Sequence, residues 1–66
     1  MELDTATKKS ILEQLIAQIE ASKYSNEVMG QTWQTIGNAE LAKQCAEKLA
    51  ENVKTIVELT KKLEAL

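Results

Sequence analysis

The sequence predicts an all-α fold, an antiparallel hairpin of two long helices, and three observations support this prediction. The chain has no proline, and it is rich in Ala, Leu, Glu, Gln and Lys, which form helices most readily. Apolar residues recur at alternating steps of three and four, which is the period of a supercoiled helix pair. One Gly-Asn step separates two such ladders of equal length. The 66 residues therefore predict a single domain, with helices over about residues 5–36 and 39–66 and a turn at 37–38.

The first helix carries a ladder that stays in phase over its whole length. Its doubtful part is the stretch Ser25–Gly30, because serine and asparagine compete with the helix backbone for hydrogen bonds and glycine costs ~1 kcal/mol inside a helix. A break there would give a third short helix, but the unbroken phase favours one continuous helix. The predicted ladder consists of Leu12, Leu15, Ile19, Ser22, Asn26, Met29, Trp33 and Ile36.

Gly37 and Asn38 form the predicted turn. Glycine adopts the left-handed conformation that ends many helices, and asparagine caps the start of the next helix. Folding the two helices antiparallel about this turn places the large Trp33 opposite the small Ala42, which suits close packing. The predicted ladder of the second helix consists of Ala42, Cys45, Leu49, Asn52, Ile56, Leu59, Leu63 and Leu66.

The second helix has more apolar surface than one neighbouring helix can cover, because a further stripe of Ala46, Ala50, Val53 and Val57 borders its ladder. A domain of this size is marginal alone, and a single cysteine without histidine excludes both an internal disulfide and an ordinary zinc site. We therefore expect the hairpin to self-associate, most simply as a homodimer that forms a four-helix bundle. The expected oligomer interface consists of Leu12, Leu15, Ile19, Trp33, Leu49, Val53, Ile56, Val57 and Leu63.

Two further groups of residues are candidates for binding. Polar Ser22, Asn26 and Asn52 fall on the predicted seam, where they fix register and oligomeric state, line a small polar cavity, or mark a local opening around Gly30 into which a partner inserts. A minor stripe on the far side of the first helix is either ordinary surface or a docking strip for a partner protein, with its tyrosine as the anchor. That stripe consists of Ala17, Ala21, Tyr24 and Val28.

Four lysines meet at the open end of the predicted hairpin, because two begin the first helix and two end the second. They form either a small anion-binding patch or a solvated surface whose charge nearby carboxylates dilute. At the C-terminal end of the second helix, the positive charge of lysine also interacts favourably with the helix dipole. The four lysines are Lys8, Lys9, Lys61 and Lys62.

Composition argues against catalysis, a cofactor and a metal. Without histidine there is no Ser-His or Cys-His pair, and the apolar seam makes Cys45 an inert core residue in this interpretation. The net charge is −2 and every basic residue is lysine, so nucleic acid is not the expected partner. No apolar run approaches the ~20 residues that a membrane helix needs. The lone cysteine fits a reducing, cytoplasmic setting.

These observations predict a non-enzymatic protein-interaction module, such as an adaptor, an inhibitor or a small chaperone, that self-associates and binds another protein. The alternative is a regulatory helical bundle that binds a ligand or a nucleic acid through the lysine end or the polar seam. Compact chains of this kind are common among phage and bacterial accessory proteins. We therefore also expect a regulatory protein of this kind.

Overall fold

The computed structural model describes residues 2–66 and consists of two helices, α1 (Thr5–Ile36) and α2 (Ala39–Glu64), packed against each other. The predicted all-α hairpin is therefore confirmed. The molecule is a rod with dimensions of 51 × 17 × 14 Å. Helix α1 continues through Gly30, so the third short helix does not form. Helix α2 ends at Glu64, slightly before the predicted position.

The start of α1 is capped by Asp4. Its carboxylate accepts a hydrogen bond of 2.7 Å from the backbone N–H of Thr7, one of the N–H groups that has no partner within the helix. Thr7, through its side chain and its backbone N–H, lowers the pKa of Asp4. A lowered pKa means that the cap stabilises the fold above the unfolded-state pKa, and that this stabilisation is lost as the pH falls through the folded-state pKa.

The turn between the helices is a Schellman motif followed by an asparagine cap. Gly37 adopts a φ of 92°, and its N–H bonds to the carbonyl of Gln34 at 3.1 Å. The N–H of Asn38 bonds to the carbonyl of Trp33 at 2.8 Å, which completes the motif. The Asn38 side chain then accepts a hydrogen bond from the N–H of Leu41 at 3.1 Å. These bonds set the direction in which α2 leaves the turn.

On α1 the structure corrects part of the predicted ladder. Leu15, Ser22, Met29 and Ile36, which were expected on the seam, are exposed on one side of it. The contact with α2 instead alternates in steps of four and three through the half-buried residues Leu12, Ile16, Ile19, Lys23, Asn26, Gly30 and Trp33, and Glu27 beside this contact is half-buried as well.

The side of α1 that contacts α2 contains the small Gly30 and is not the more apolar side of this helix. A Cβ atom added to Gly30 would lie 3.4 Å from the Cβ atom of Cys45, so the two helices lie close together at this position and an added methyl group would be in contact across the seam. Ala42, the residue opposite Trp33 in the predicted pairing, is only 8% exposed. On α2 the predicted ladder is confirmed from Ala42 to Leu63, whereas Leu66 is exposed.

Replacing Gly30 with alanine should raise the free energy of unfolding by about 0.5–1 kcal/mol, because alanine has the higher helix propensity. The added methyl group would meet Cys45 at 3.4 Å, the near edge of ordinary van der Waals contact. Chemical denaturation at a fixed protein concentration measures the change. As a contrasting control, Gly37→Ala should lower the free energy of unfolding by about 1–2 kcal/mol, because it places a Cβ atom on left-handed backbone. A loss of stability in Gly30→Ala would show that the seam cannot accept a methyl group.

Candidate functional site

The hairpin has almost no interior of its own. Among residues 2–66, Ala42 is the single buried apolar residue. The chain exposes 5078 Å² of accessible surface, whereas a compact folded monomer of its 7.3 kDa mass exposes about 4,200 Å². The excess is close to the ~800 Å² that one partner buries in a standard protein interface. The large apolar residues that remain exposed are Leu3, Ile11, Leu15, Tyr24, Val28, Met29, Ile36, Val53, Val57 and Leu66.

One side of the hairpin, which we call the acidic flank, combines carboxylates from α1 with small apolar residues from α2. A groove on this side is lined by Glu27, Gly30, Gln31, Gln34, Ala42, Ala46 and Leu49. Because residues one heptad apart share a helix face, Glu13 and Glu20 lie on the same side as Glu27, and Val53 lies on the same side as Ala46. Ala50 and Val57 extend this apolar row outward.

The opposite side, which we call the basic flank, combines apolar residues from α1 with lysines from α2. Near the open end its groove is lined by Leu3, Lys8, Ile11, Leu12, Lys62 and Leu66. Heptad spacing from Lys8 places Leu15, Ser22, Met29 and Ile36 on this side, and spacing from Lys62 places Thr55 and Lys48 there. Leu15 is 39% exposed and Met29 is 40% exposed, so part of this apolar row stays uncovered within the chain.

The two flanks are therefore complementary in charge and alike in having one apolar row each. Helix α1 contributes the glutamates of the acidic flank and the apolar row of the basic flank. Helix α2 contributes the lysines of the basic flank and the apolar row of the acidic flank. This arrangement depends on the corrected seam, because the predicted ladder would have placed Leu15 and Met29 between the helices. Sequence patterning had found the α2 stripe at Ala46 and Val53 but had missed its counterpart on α1.

The polar seam consists of a direct side-chain pair. The Nδ2 atom of Asn26 donates a hydrogen bond of 2.7 Å to the Oδ1 atom of Asn52, in a partly buried position near the middle of the hairpin. Ser22, the third predicted member, is exposed and lies outside this pair. A bond this short leaves no space for a ligand between the two amides, so the geometry favours register fixing over a polar cavity.

The predicted interface residues fall into two groups. Leu15, Val53 and Val57 are exposed on the flanks, where another chain can reach them. The others are half-buried in the contact between α1 and α2, and their buried sides are occupied within the chain: Leu12, Ile19, Trp33, Leu49, Ile56 and Leu63. A second chain would therefore bind mainly to the flanks.

The minor stripe of α1 takes no part in the hairpin contact. Tyr24 is 69% exposed and Val28 is 39% exposed, and Ala17 and Ala21 are exposed as well. Their heptad positions place Ala21 and Val28 on the outer face of α1, away from α2. The predicted docking strip is thus accessible from solvent.

The four lysines at the open end differ in their surroundings. The Nζ atom of Lys9 lies 4.0 Å from Oε1 of Glu13, and the Nζ atom of Lys61 lies 3.3 Å from Oε1 of Glu58. Each of these lysines therefore has a carboxylate partner on its own helix. Both pairs are well exposed, and such pairs contribute only ~0–1 kcal/mol. Lys8 and Lys62 instead border the apolar groove of the basic flank. The end therefore offers two lysines beside apolar surface rather than a concentrated cationic patch.

No known protein family, curated protein or solved structure matches this chain. Neither helix in the described part of the chain combines the length and apolar character needed to cross a membrane. Within residues 2–66, no three Cys, Asp or Glu side chains come close enough together to hold a metal ion.

Proposed function

We propose that this chain is a non-enzymatic protein-interaction module that acts by self-association and by binding a partner protein. The smallest assembly in this proposal is a pair of hairpins forming a four-helix bundle. The setting is the cytoplasm, where the lone Cys45, half-buried in the seam, stays reduced. An adaptor, an inhibitor or a small chaperone fits this proposal equally well.

The observation that supports the proposal is the apolar surface that the hairpin leaves uncovered. Among the residues that the structure describes, a single hairpin buries one apolar residue, and both of its flanks carry exposed apolar rows along the rod. Helices of globular proteins gain most of their stability from burying an apolar face against neighbours. A second copy supplies such a neighbour, and the excess surface has the size of one standard interface.

Sedimentation equilibrium over a dilution series, with helix content followed by circular dichroism, tests self-association. We expect the mass to fall towards that of the monomer on dilution, and the helix content to fall with it, because the isolated hairpin has so little interior. A fully helical monomer at micromolar concentration would contradict the proposal.

The partner protein in this proposal binds along the outer face of α1. Tyr24 has a large ring, and ordering its side chain costs little conformational entropy. Tyrosines often anchor protein interfaces. An amphipathic helix of the partner that packs along Ala21 and Val28 would bury this strip between itself and α1. This surface is separate from the apolar rows of the flanks, so self-association leaves it free.

A second candidate function is binding of an anionic ligand or a nucleic acid at the open end. The supporting observation is that Lys8 and Lys62 border the same apolar groove. Such binding should weaken steeply with salt, because it displaces counterions. Replacing all four lysines of the open end with glutamine should abolish binding of a fluorescent single-stranded oligonucleotide. Unchanged binding in that variant would contradict this candidate.

A further inference from the structure

We propose that the second copy binds head-to-tail, with the acidic flank of one chain against the basic flank of the next. This inference rests on the self-association proposed above and specifies its geometry. An interface between two different surfaces of identical chains is heterologous, in contrast to the closed contact of a two-fold dimer. The proposal thus predicts both which residues meet and how the assembly grows.

Charge is the first argument for this geometry. The acidic flank carries Glu13, Glu20 and Glu27 at heptad intervals, and the basic flank carries Lys48 and Lys62 on the same repeat. Two acidic flanks facing each other would bring carboxylates together or place them against an apolar row. Both arrangements cost free energy, whereas facing unlike flanks pairs each charged row with its opposite.

The apolar rows give the second argument. The neighbouring hairpin stacks with its basic flank on the acidic flank of the first chain, and it is rotated by half a turn about the axis perpendicular to the plane of its two helices. Its α1 then lies over α2 of the first chain. The row of Leu15 and Met29 then covers the row of Ala46 and Val53, where large residues meet smaller ones. In the same arrangement the glutamate row meets the lysine row. One orientation therefore satisfies both kinds of row.

The size of the contact agrees with this arrangement. The excess surface of about 900 Å² over a compact monomer is enough for one standard interface per chain. A pair formed in this way is a four-helix bundle, and it retains one free acidic flank and one free basic flank. Further copies can bind to those flanks, so the assembly should grow beyond two chains as concentration rises.

Charge reversal on each flank separately tests the geometry. The two variants are Glu20→Lys with Glu27→Lys, and Lys48→Glu with Lys62→Glu. In the head-to-tail arrangement each variant alone has two flanks of like charge, and its self-association should weaken at least about tenfold at low salt. An equimolar mixture of the two variants should associate again, because each reversed flank then finds an opposite one. Sedimentation velocity, with circular dichroism as a check on helix content, measures all three samples.

Matched reversals on the outer face of α2 control for net charge. Glu40→Lys with Glu47→Lys, and Lys54→Glu with Lys61→Glu, change the charge equally and should leave association unchanged. Recovery of both mass and helix content in the mixture supports the proposal even where a single variant loses its fold. A closed dimer would respond to reversal of one flank only, and mixing would not restore it. That result overturns the head-to-tail geometry while leaving self-association intact, whereas a monomeric wild-type chain overturns both.

The salt dependence of the wild-type chain distinguishes the same arrangements. Opposite charges across the interface predict that added salt weakens association, because salt screens the attraction. Like charges across a closed interface predict that salt strengthens association. Strengthening on addition of sodium chloride would overturn the head-to-tail geometry.

Discussion

Replacing Val53 and Val57 together with serine should weaken self-association by about 10–100-fold, the largest loss expected from a change on one flank. These valines are 44% and 47% exposed in the hairpin, so roughly half of each side chain remains to be covered by a second copy. Full burial of a valine contributes at least ~1.5 kcal/mol, so half-burial of two gives about 1.5–3 kcal/mol. Sedimentation equilibrium of the variant beside the wild type measures the loss.

The matched control for this change lies on the outer face of α1. Val28→Ser with Tyr24→Ser also removes two exposed large side chains, but outside the apolar rows of the flanks. This control should self-associate as the wild type does and should lose affinity for a partner protein. Equal weakening by both double variants would show that the flanks have no special part in self-association.

Breaking the asparagine pair should have the largest effect on the seam. Asn52→Leu alone leaves the Asn26 amide without its 2.7 Å partner, and we expect the free energy of unfolding to fall by about 1–3 kcal/mol. Replacing both residues with leucine should instead raise stability above that of the single variant, because two apolar side chains then meet across the seam. A double-mutant cycle by chemical denaturation measures the coupling between the two positions.

The same cycle tests what the pair is for. A polar pair on a helix seam fixes register and oligomeric state at a cost in stability. The double leucine variant should therefore be more stable than the single variant but show a broader range of masses in sedimentation velocity than the wild type does at the same concentration. A mass distribution equal to that of the wild type would show that the turn alone fixes the register of the hairpin.

Much of the hairpin could be predicted because its causes are local. The continuous α1 follows from strong helix formers on both sides of Gly30, and the turn follows from a glycine that reaches a φ of 92° at Gly37. The α2 ladder was predicted correctly from Ala42 to Leu63 because its apolar face is the one that meets α1. Asn26 and Asn52 were correctly placed on the seam, where the structure joins them by a hydrogen bond, whereas Ser22 was wrongly placed there.

The side of α1 that faces α2 could not be predicted in the same way. Leu12, Ile19, Asn26 and Trp33 fit both phases of the ladder, so the alternating position decides between them. Apolar character favoured Leu15 and Met29 over a set that includes a lysine and a glycine, and this choice was wrong. A periodic pattern shows which residues share a face, but it does not show whether that face meets the same chain, a second copy or solvent.

The sequence by itself determined two helices, the helix ends on either side of the turn, the turn itself and the seam of α2, because propensity, capping and glycine backbone freedom act over a few neighbouring residues. Only the tertiary structure decided the rotation of α1. That rotation depends on packing between residues far apart in the chain, such as Gly30 against Cys45, where an added Cβ atom would lie 3.4 Å from the cysteine Cβ atom. By turning Leu15 and Met29 outward, the rotation produces the two complementary flanks on which the proposed self-association rests.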